Sequence, residues 1–283
     1  MYKFGFIGLG LIGGSLAKAI RNTYPDCCIT VFARNPAKLE QAVDDGVVNI
    51  LKNNIDDDFS DCDFVFLCVP VLDVLSYLEP LKNVLNDNCI LTDVGSVKEN
   101  IHKGVDSAGL SRIFVGGHPM AGSQKSGYDN SSAEMLQGCV YIFTRDDNTD
   151  NDKVSALCTL MESIGCKPYV TTPRKHDEAV AGISHLPHLA VAALVNTVSK
   201  KETEERLMKK FASSGFKDTT RIAASSPDVW SQICSANKDN ILSILDAYIN
   251  NLISLKESVK KDDNEAVYRL FKESNDYLDG PDI

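Results

Sequence analysis

A histidine stands in an unusual setting in the stretch GGHPMAGSQKSG, which starts at Gly116. Two glycines precede His118 and a proline follows it, so we expect neither a helix nor a long strand to continue through it. A neutral imidazole titrates near pH 7 and can accept the proton of a hydroxyl group. The stretch therefore predicts an irregular loop that holds His118 as a proton acceptor. An ordinary turn histidine is the alternative.

A glycine-rich stretch near the N-terminus, GLGLIG from Gly8 to Gly13, matches the pattern G-x-G-x-x-G. It follows a short apolar run and opens a segment with helical periodicity, as in the first βα unit of a dinucleotide-binding fold. Gly8 permits the tight turn, Gly10 lets the backbone approach a pyrophosphate, and Gly13 allows close helix packing. The N–H groups and the dipole of the helix N-terminus favour the anion. The residues predicted to contact the cofactor are Gly8, Gly10, Leu11, Ile12, Gly13, Arg34, Val69 and Pro70.

The end of the second apolar run bears on which cofactor would bind. A carboxylate about 20 residues after the glycines is typical of proteins that bind a free ribose 2′-hydroxyl. Here the expected acid position is Ala33, and Arg34 follows it. With no acid to repel a 2′-phosphate, a guanidinium can bind that group through charge-assisted hydrogen bonds. We predict NADP as the preferred cofactor, with NAD also possible. The alternative is that Arg34 is an exposed surface charge.

The elements that would position these residues alternate between strand-like and helix-like segments in the first half of the chain. Continuous apolar runs separated by helical patterns predict a parallel sheet covered on both faces. Shorter runs extend the predicted sheet to about Val170. The main apolar runs are KFGFIG, CCITVF, DFVFLCV and CILTDVG.

Beyond residue 172 the apolar periodicity becomes helical throughout. Ser226 is expected to cap a long helix over residues 226–261, with Pro227 at its first position. We therefore predict an α/β Rossmann-type dinucleotide-binding domain over residues 1–172, followed by an all-helical domain over residues 173–283.

Composition and charge argue against several other classes of protein. The net charge is −10 and the basic residues form no stripe, so neither nucleic acid nor an anionic membrane is the expected partner. We find no run of 18 apolar residues and no signal-peptide pattern. Nine cysteines without a CxxC pair favour reduced thiols in a cytoplasmic protein over disulfides or a zinc site. The acidic stretch Asp146–Asp152 lacks the glycine and the final glutamate of a calcium loop, so we expect a solvated loop.

Four further stretches, read with GLGLIGGSLA, carry a family resemblance. They are TDVGSVK from Thr92, GGHPMAGS, SHLPH from Ser184 and GFKDTTR from Gly215. Together they resemble the prephenate/arogenate dehydrogenase family from residue 4 to about residue 235. The resemblance implies a Rossmann domain for the nicotinamide cofactor and a helical domain that forms a homodimer and closes the site. It also implies a cyclohexadienol substrate that loses a hydride and CO₂ as its ring becomes aromatic.

The resemblance implies catalytic roles for two residues. His118 aligns with the family's catalytic histidine, which would accept the substrate hydroxyl proton as the hydride departs. Ser96 would hydrogen-bond the same hydroxyl and His118. A helix N-cap for a segment starting at Val97 is a comparable and compatible role for Ser96.

The resemblance also implies substrate-binding residues. Arg221 matches the family arginine that binds a substrate carboxylate, a task suited to bidentate guanidinium geometry. Lys217, four residues earlier, is a weaker candidate for the same anion or for the dimer partner's site. His188 is expected to be a polar contact to the substrate, and His185 a structural residue. The family uses no metal, and Asp177 and Lys98 are expected only to support the site.

A departure from the family pattern sits at Gln124. Many members carry an acidic residue there, which could pair with the ammonium group of arogenate. A neutral glutamine favours prephenate, with an arogenate or dual-specificity cyclohexadienyl dehydrogenase as the alternative. We expect no room for a separate regulatory domain, so any feedback by tyrosine would act in the active site.

Two more distant interpretations stay open. A β-hydroxyacid dehydrogenase would rely on a catalytic lysine in a helical setting that we do not find in this sequence. A non-catalytic NADP(H)-sensing protein would not need His118, Ser96 or Arg221, and all three are present with their motifs.

Overall fold

The computed structural model describes residues 1–123 and 125–280 of the chain. Within this part, eight strands form a single sheet. They are β1 (Lys3–Ile7), β2 (Cys28–Phe32), β3 (Ile50–Lys52), β4 (Phe64–Leu67), β5 (Ile90–Asp93), β6 (Phe114–Pro119), β7 (Val140–Thr144) and β8 (Lys167–Thr171). Their order across the sheet is β3-β2-β1-β4-β5-β6-β7-β8.

Twelve α-helices accompany the sheet in the described part of the chain. They are α1 (Leu11–Thr23), α2 (Glu40–Asp44), α3 (Val74–Lys82), α4 (Glu99–Ala108), α5 (Asn151–Ser163), α6 (Pro173–Val180), α7 (Leu186–Lys201), α8 (Leu207–Phe211), α9 (Ser214–Thr220), α10 (Pro227–Ala236), α11 (Lys238–Lys260) and α12 (Asn264–Leu278). The chain forms two compact units, Met1–Lys238 and Asp239–Ile283. The candidate site described below lies in the first unit.

The first six strands are parallel, which confirms that part of the sequence prediction. Most of their side chains are apolar and buried, and aromatic rings stack between registered neighbours of β1 and β4. The Phe4 and Phe64 ring centroids lie 5.5 Å apart, and those of Phe6 and Phe66 lie 5.0 Å apart. The strand order reverses at β1, which is flanked by β2 and β4. Ligands of open α/β sheets bind in the crevice at such a reversal.

The far edge of the sheet departs from the predicted parallel pattern. β7 runs antiparallel to β6, and β8 then runs parallel to β7. The result is a mixed sheet in which β6 has a parallel neighbour on one side and an antiparallel neighbour on the other. Mixed sheets with an added antiparallel pair are common in doubly wound folds.

The loop predicted around His118 is in fact the end of a strand. β6 continues through His118 and Pro119, with His118 opposite Ile142 of β7. A Cβ atom on Gly117 would lie only 2.5 Å from the Asp93 carbonyl oxygen. The glycines therefore allow the neighbouring strand to approach closely instead of breaking β6. The prediction of an irregular loop was wrong for these residues, and irregular backbone begins after Pro119.

After β8 the described chain contains only helices. A π-helical turn, Ala181–His185, joins α6 to α7 without a break. The predicted cap at the start of α10 is confirmed, because the Ser226 side chain accepts a hydrogen bond from the backbone of Val229. The long helix predicted over residues 226–261 is interrupted at Asn237, where α10 gives way to α11.

One described helical stretch, Pro173–Lys201, is long and apolar enough by length and composition to cross a membrane. Its His176 and Asp177 side chains are buried and hydrogen-bond to residues of the sheet domain. The first part of this stretch, α6, therefore packs on this protein's own sheet domain.

Candidate active site

A cavity of about 530 Å³ opens at the carboxyl ends of β5 and β6. This edge of a parallel sheet is where ligands bind in doubly wound folds. Ser96, His118 and the irregular segment that follows Pro119 line the cavity on one side, and residues of the later helical segments line the rest. Four of the residues with predicted roles therefore meet in one place: Ser96, His118, His188 and Arg221.

His118 is buried in the cavity wall, and its ring contacts that of a second histidine, His176. Its Nδ1 lies 2.8 Å from Nε2 of His176, and the two rings meet edge to face. Burial lowers the pKa of His118 well below its ordinary value, and the neighbouring groups His176, Lys98 and His185 lower it further. The imidazole is therefore neutral at pH 7, the form that can accept a proton.

Asp177 anchors this second histidine. Its Oδ1 lies 2.7 Å from Nδ1 of His176. The carboxylate also accepts hydrogen bonds from the backbone N–H groups of Lys98 and Glu99, at 2.8 and 2.9 Å. These donors lie at the start of α4, where a negative charge is stabilised by the helix dipole. Burial lowers the pKa of His176, and the hydrogen bond to Asp177 opposes that shift.

Ser96 does not cap a helix. The alternative of a cap for a helix starting at Val97 is wrong, because α4 begins at Glu99. Ser96 lines the large cavity and also a neighbouring one of about 120 Å³ that contains Val69 and Pro70. Ser96 and His118 face the same space, without a direct hydrogen bond in the described structure.

A buried ion pair ties the end of β5 to β6 beneath the cavity. The Lys98 and Asp93 side chains are fully buried and in contact, and Lys98 Nζ donates to the Gly117 carbonyl at 2.8 Å. Asp93 also accepts from the backbone N–H groups of Gly95 and Gly117, at 2.7 and 3.1 Å. Burial lowers the pKa of Lys98 and the Asp93 carboxylate opposes that shift. These bonds fix the backbone immediately before His118.

The opposite wall of the cavity carries His188, Trp230 and Arg221. The His188 ring stacks on Trp230, with centroids 4.2 Å apart and an interplanar angle of 28°. Its Nδ1 donates to the Ser184 carbonyl at 2.8 Å, so Nε2 is the nitrogen left to meet a ligand. Arg221 begins a short 3₁₀ turn at the cavity mouth. Lys217, on α9, is exposed and does not line the cavity in this chain.

His185, predicted to be structural, and Gln124, predicted to face the substrate, differ in what the structure describes. His185 is fully buried, and its Nδ1 lies 3.2 Å from the Asn237 side-chain amide, as suits a structural residue. Burial lowers the pKa of His185 to about 4. Gln124 lies outside the described residues.

A second cavity, of about 240 Å³, lies at the carboxyl ends of β1, β2 and β4. Five of the predicted cofactor residues line it: Gly8, Gly10, Arg34, Val69 and Pro70. Leu11 and Ile12 form the first turn of α1, directly behind Gly10. The location matches the crevice at the strand-order reversal.

The glycines shape this cavity for a phosphate-bearing ligand. Gly8 has a φ of +84°, a backbone conformation that favours glycine. A Cβ atom on Gly13 would lie 2.8 Å from Cβ of Cys68, so glycine is needed for α1 to pack against the end of β4. Gly10 precedes α1 without a side-chain cap, and nothing would crowd a Cβ there. The first N–H groups of α1 are therefore available to an anion, and the residues fit a dinucleotide.

Arg34 projects from the end of β2 at the mouth of this cavity. Its guanidinium is largely exposed and lies 3.8 Å from the Asp73 carboxylate. Ala33 is buried beside it, so no carboxylate occupies the strand end itself. The arrangement leaves most of the guanidinium's hydrogen-bonding capacity open to a ligand.

Sequence reasoning missed His176, Trp230 and Asp73. His176 and Trp230 carried no motif of their own, and each reaches the site through packing between distant segments. His176 directly precedes Asp177, and this pair of polar residues early in an amphipathic helix was the one available signal. Asp73 sits just before α3, and it approaches Arg34 only because β2 and β4 flank β1.

Comparison with known proteins agrees with this geometry. Residues 16–170 match the family model described as prephenate dehydrogenase, nucleotide-binding domain, and residues 172–273 match that described as prephenate dehydrogenase, dimerization domain. A prephenate dehydrogenase of Bacillus subtilis (strain 168) is 36% identical over 275 residues, which cover 96% of this chain and 74% of that protein. A cyclohexadienyl dehydrogenase of Zymomonas mobilis is 31% identical, covering 95% of this chain and 92% of that protein.

A solved structure extends the likeness to the fold. The crystal structure of prephenate dehydrogenase from A. aeolicus, in complex with hydroxyphenyl propionate and NAD⁺, superposes with a TM-score of 0.91 at 33% identity, covering 98% of each chain. The two matched family models together span most of the sequence, a nucleotide-binding domain followed by a helical dimerisation domain. The chain therefore belongs to the prephenate dehydrogenase family.

Proposed function

We propose that the protein is a prephenate dehydrogenase, which converts prephenate to 4-hydroxyphenylpyruvate and CO₂ with reduction of NADP. The observation that carries the proposal is the meeting of His118, Ser96 and Arg221 in one cavity. Ser96 also lines the cavity of about 120 Å³ that includes Val69 and Pro70, and these two residues line the cofactor cavity as well. A proton acceptor and a carboxylate-binding cation thus border one substrate-sized space that adjoins the dinucleotide site.

The chemistry assigns one task to each group. NADP, when bound, would accept the hydride that leaves the ring carbon bearing the hydroxyl. His118 accepts the hydroxyl proton, and Ser96 orients that hydroxyl. Arg221 binds a substrate carboxylate in the bidentate geometry of a guanidinium. His188 contacts the substrate through Nε2.

Aromatisation requires the proton to return. When CO₂ leaves, the electrons of its C–C bond enter the ring and reach the oxygen that had become a carbonyl. That oxygen takes up one proton to become the phenol of the product. His118 therefore acts first as base and then as acid, with no net proton released. The direct test is a steady-state assay at 340 nm with prephenate and NADP, in which absence of an absorbance rise would exclude the activity.

We propose NADP as the preferred cofactor and NAD as a poorer one. The supporting observations are the buried Ala33 in place of an acid and the exposed Arg34 at the cavity mouth. The A. aeolicus relative was solved with NAD⁺, so the preference is a property to be measured on this chain. We expect Arg34→Ala to reduce kcat/KM for NADP by about tenfold or more and to leave kcat/KM for NAD nearly unchanged. A wild-type kcat/KM that favours NAD would refute the preference.

We propose prephenate as the better substrate, because Gln124 lacks the charge that could pair with the ammonium group of arogenate. One of the similar proteins is a cyclohexadienyl dehydrogenase, so arogenate use is the second candidate. Comparing kcat/KM for prephenate and arogenate decides between them. The variant Gln124→Glu should raise the relative use of arogenate, and a wild type that prefers arogenate would contradict the proposal.

We also propose that the protein is a cytoplasmic homodimer formed through its helical domain, with the domain boundary near residue 172. In the second unit, exposed apolar side chains on α11 and α12, such as Leu252, Ile253 and Phe271, are consistent with a covered face. Lys217, exposed in its own chain, is then a candidate for an anion in the partner's site. Sedimentation equilibrium tests the dimer, and a monomer at micromolar concentration would exclude it.

A further inference from the structure

We propose that His176 and Asp177 form a hydrogen-bonded chain with His118 that decides which nitrogen of His118 faces the substrate and stabilises the charge that the ring acquires. His176 uses both ring nitrogens in this chain, one toward Asp177 at 2.7 Å and one toward His118 at 2.8 Å. The inference deepens the proposed function, because it concerns the base of that reaction. His176 and Asp177 are positioning residues, since neither lines the cavity.

The direction of each hydrogen bond follows from Asp177. Its carboxylate already accepts two backbone N–H groups at the start of α4, and an ionised carboxylate can only accept. The third bond must therefore be donated by Nδ1–H of His176. In a neutral ring this leaves a lone pair on Nε2, and that lone pair accepts Nδ1–H of His118.

The proton-accepting atom of His118 is then Nε2. The opposite tautomer of His118 would place two lone pairs against each other across the 2.8 Å contact with His176. The only relief would be to protonate a buried ring whose pKa is lowered by burial. The chain therefore selects one tautomer for His118 before any substrate binds.

The hydrogen-bonded chain also stabilises the positive charge that the His118 ring carries after it accepts the substrate proton. The groups around His118 are His176 from α6, His185 from the π-helical turn and Lys98 from the start of α4, with Asp93 and Asp177 as the carboxylates. Lys98 is already paired with Asp93. Asp177 is the carboxylate linked to the His118 ring, and it acts through the polarisable imidazole of His176.

The proton balance of the reaction agrees with a hydrogen-bonded chain that stabilises the charge on His118 and does not carry the proton to solvent. His118 takes one proton from the substrate hydroxyl and returns it to the product oxygen. Its Nδ1–H can shift toward His176, and the His176 Nδ1–H toward Asp177, while the charge exists. Both shifts reverse when the proton returns to the product oxygen, so no proton leaves the site.

A purely structural role for Asp177 is the competing explanation, because the carboxylate also caps α4. Asp177→Asn separates the two by the direction of a pH shift. Loss of the charge should lower kcat by about 10²-fold and move the acid limb of the kcat profile to lower pH, with KM values nearly unchanged. If Asp177 has only a structural role, its replacement would loosen the packing and let water reach His118. The acid limb of the kcat profile would then move to higher pH, toward the ordinary histidine pKa near 6.5.

Two variants at His176 test the hydrogen-bonded chain without changing Asp177, which also caps α4. Gln can accept from His118 through its oxygen and donate to Asp177 through its amide, so His176→Gln should stay within about tenfold of wild-type kcat, whereas His176→Leu should lose about 10²-fold. The matched control is His102→Gln, a buried histidine that also faces a carboxylate, Asp146, and lines no described cavity. It should keep nearly full kcat.

The decisive measurement does not require activity. Ring-¹⁵N NMR of the full-length protein, labelled in its five histidines, reports which nitrogen of each ring carries the proton. We expect His118 to carry it on Nδ1 in wild type and to populate both tautomers in Asp177→Asn. A proton on Nε2 in wild type, or equal kcat losses in His176→Leu and His102→Gln, would overturn the chain. Absence of NADPH formation by wild type would instead refute the proposed function. The NMR measurement of the His118 tautomer would still test the hydrogen-bonded chain in that case.

Discussion

Replacing Lys98 by methionine tests the buried ion pair that supports the active site. Lys98 and Asp93 are both fully buried, and Lys98 also donates to the carbonyl of Gly117, directly before His118. Methionine has a similar length but no charge. The variant would leave Asp93 as a buried carboxylate with its two backbone donors and no cation, and breaking such a pair costs about 3–5 kcal/mol.

The magnitude is a large part of the stability of an ordinary domain, which is about 5–15 kcal/mol. We expect a clear fall in the urea midpoint at fixed protein concentration, measured by circular dichroism. The cost should depend on pH. The penalty comes from a buried negative charge without a cation, so it should be complete at neutral pH and should fade at acid pH, where carboxylates become neutral.

Lys153→Met provides a matched control. Lys153 is also buried, but its Nζ donates to the backbone carbonyls of Asp87, Asn88 and Cys89 at 2.8, 3.1 and 3.0 Å. These carbonyls do not titrate, so the difference between this variant and wild type should not shrink at acid pH. A loss below about 1 kcal/mol in Lys98→Met, or a loss that does not depend on pH, would refute the reasoning.

Three further predictions follow from the same geometry. His118→Asn should fold and bind cofactor and prephenate but lose at least about 10²-fold in kcat, and an unchanged kcat in a stopped-flow assay would remove His118 from the mechanism. Since burial lowers the pKa of His185 to about 4, its neutral form contributes stability above pH 6.5 that is lost as the pH falls toward 4, up to about 3 kcal/mol. Chemical unfolding at pH 7 and pH 5 should show this decline in wild type and a smaller one in His185→Gln. Gly13→Val would bring new methyl groups against Cys68, so we expect a lower melting temperature and weaker cofactor binding by calorimetry, and full NADP affinity would count against the assigned role.

Several features of this protein follow from the sequence because they depend on neighbouring residues. The tight turn at Gly8, the start of α10 at Ser226 and the buried parallel strands each follow from local backbone conformation and side-chain periodicity. The motif residues Ser96, His118, His188 and Arg221 could be selected as candidates for one site, and they do line one cavity.

The glycines before His118 show where local reasoning failed. By local propensity Gly116, Gly117 and Pro119 predict irregular backbone. In the fold, the two glycines instead let β6 lie close to the Asp93 carbonyl and the Thr144 side chain, so the strand continues. Tertiary packing outweighed propensity because a missing side chain is also the condition for close approach between strands.

The chain of groups behind His118 was decided by tertiary structure alone. His118 and His176 are 58 positions apart, and their contact depends on how α6 packs against the end of β6. The Asp177 carboxylate meets the start of α4 by the same packing. Sequence determined which residues could do the chemistry, because side-chain type and local turns are encoded nearby. Only the packed structure decided which nitrogen of His118 contacts His176, since that contact joins segments that are distant in the sequence.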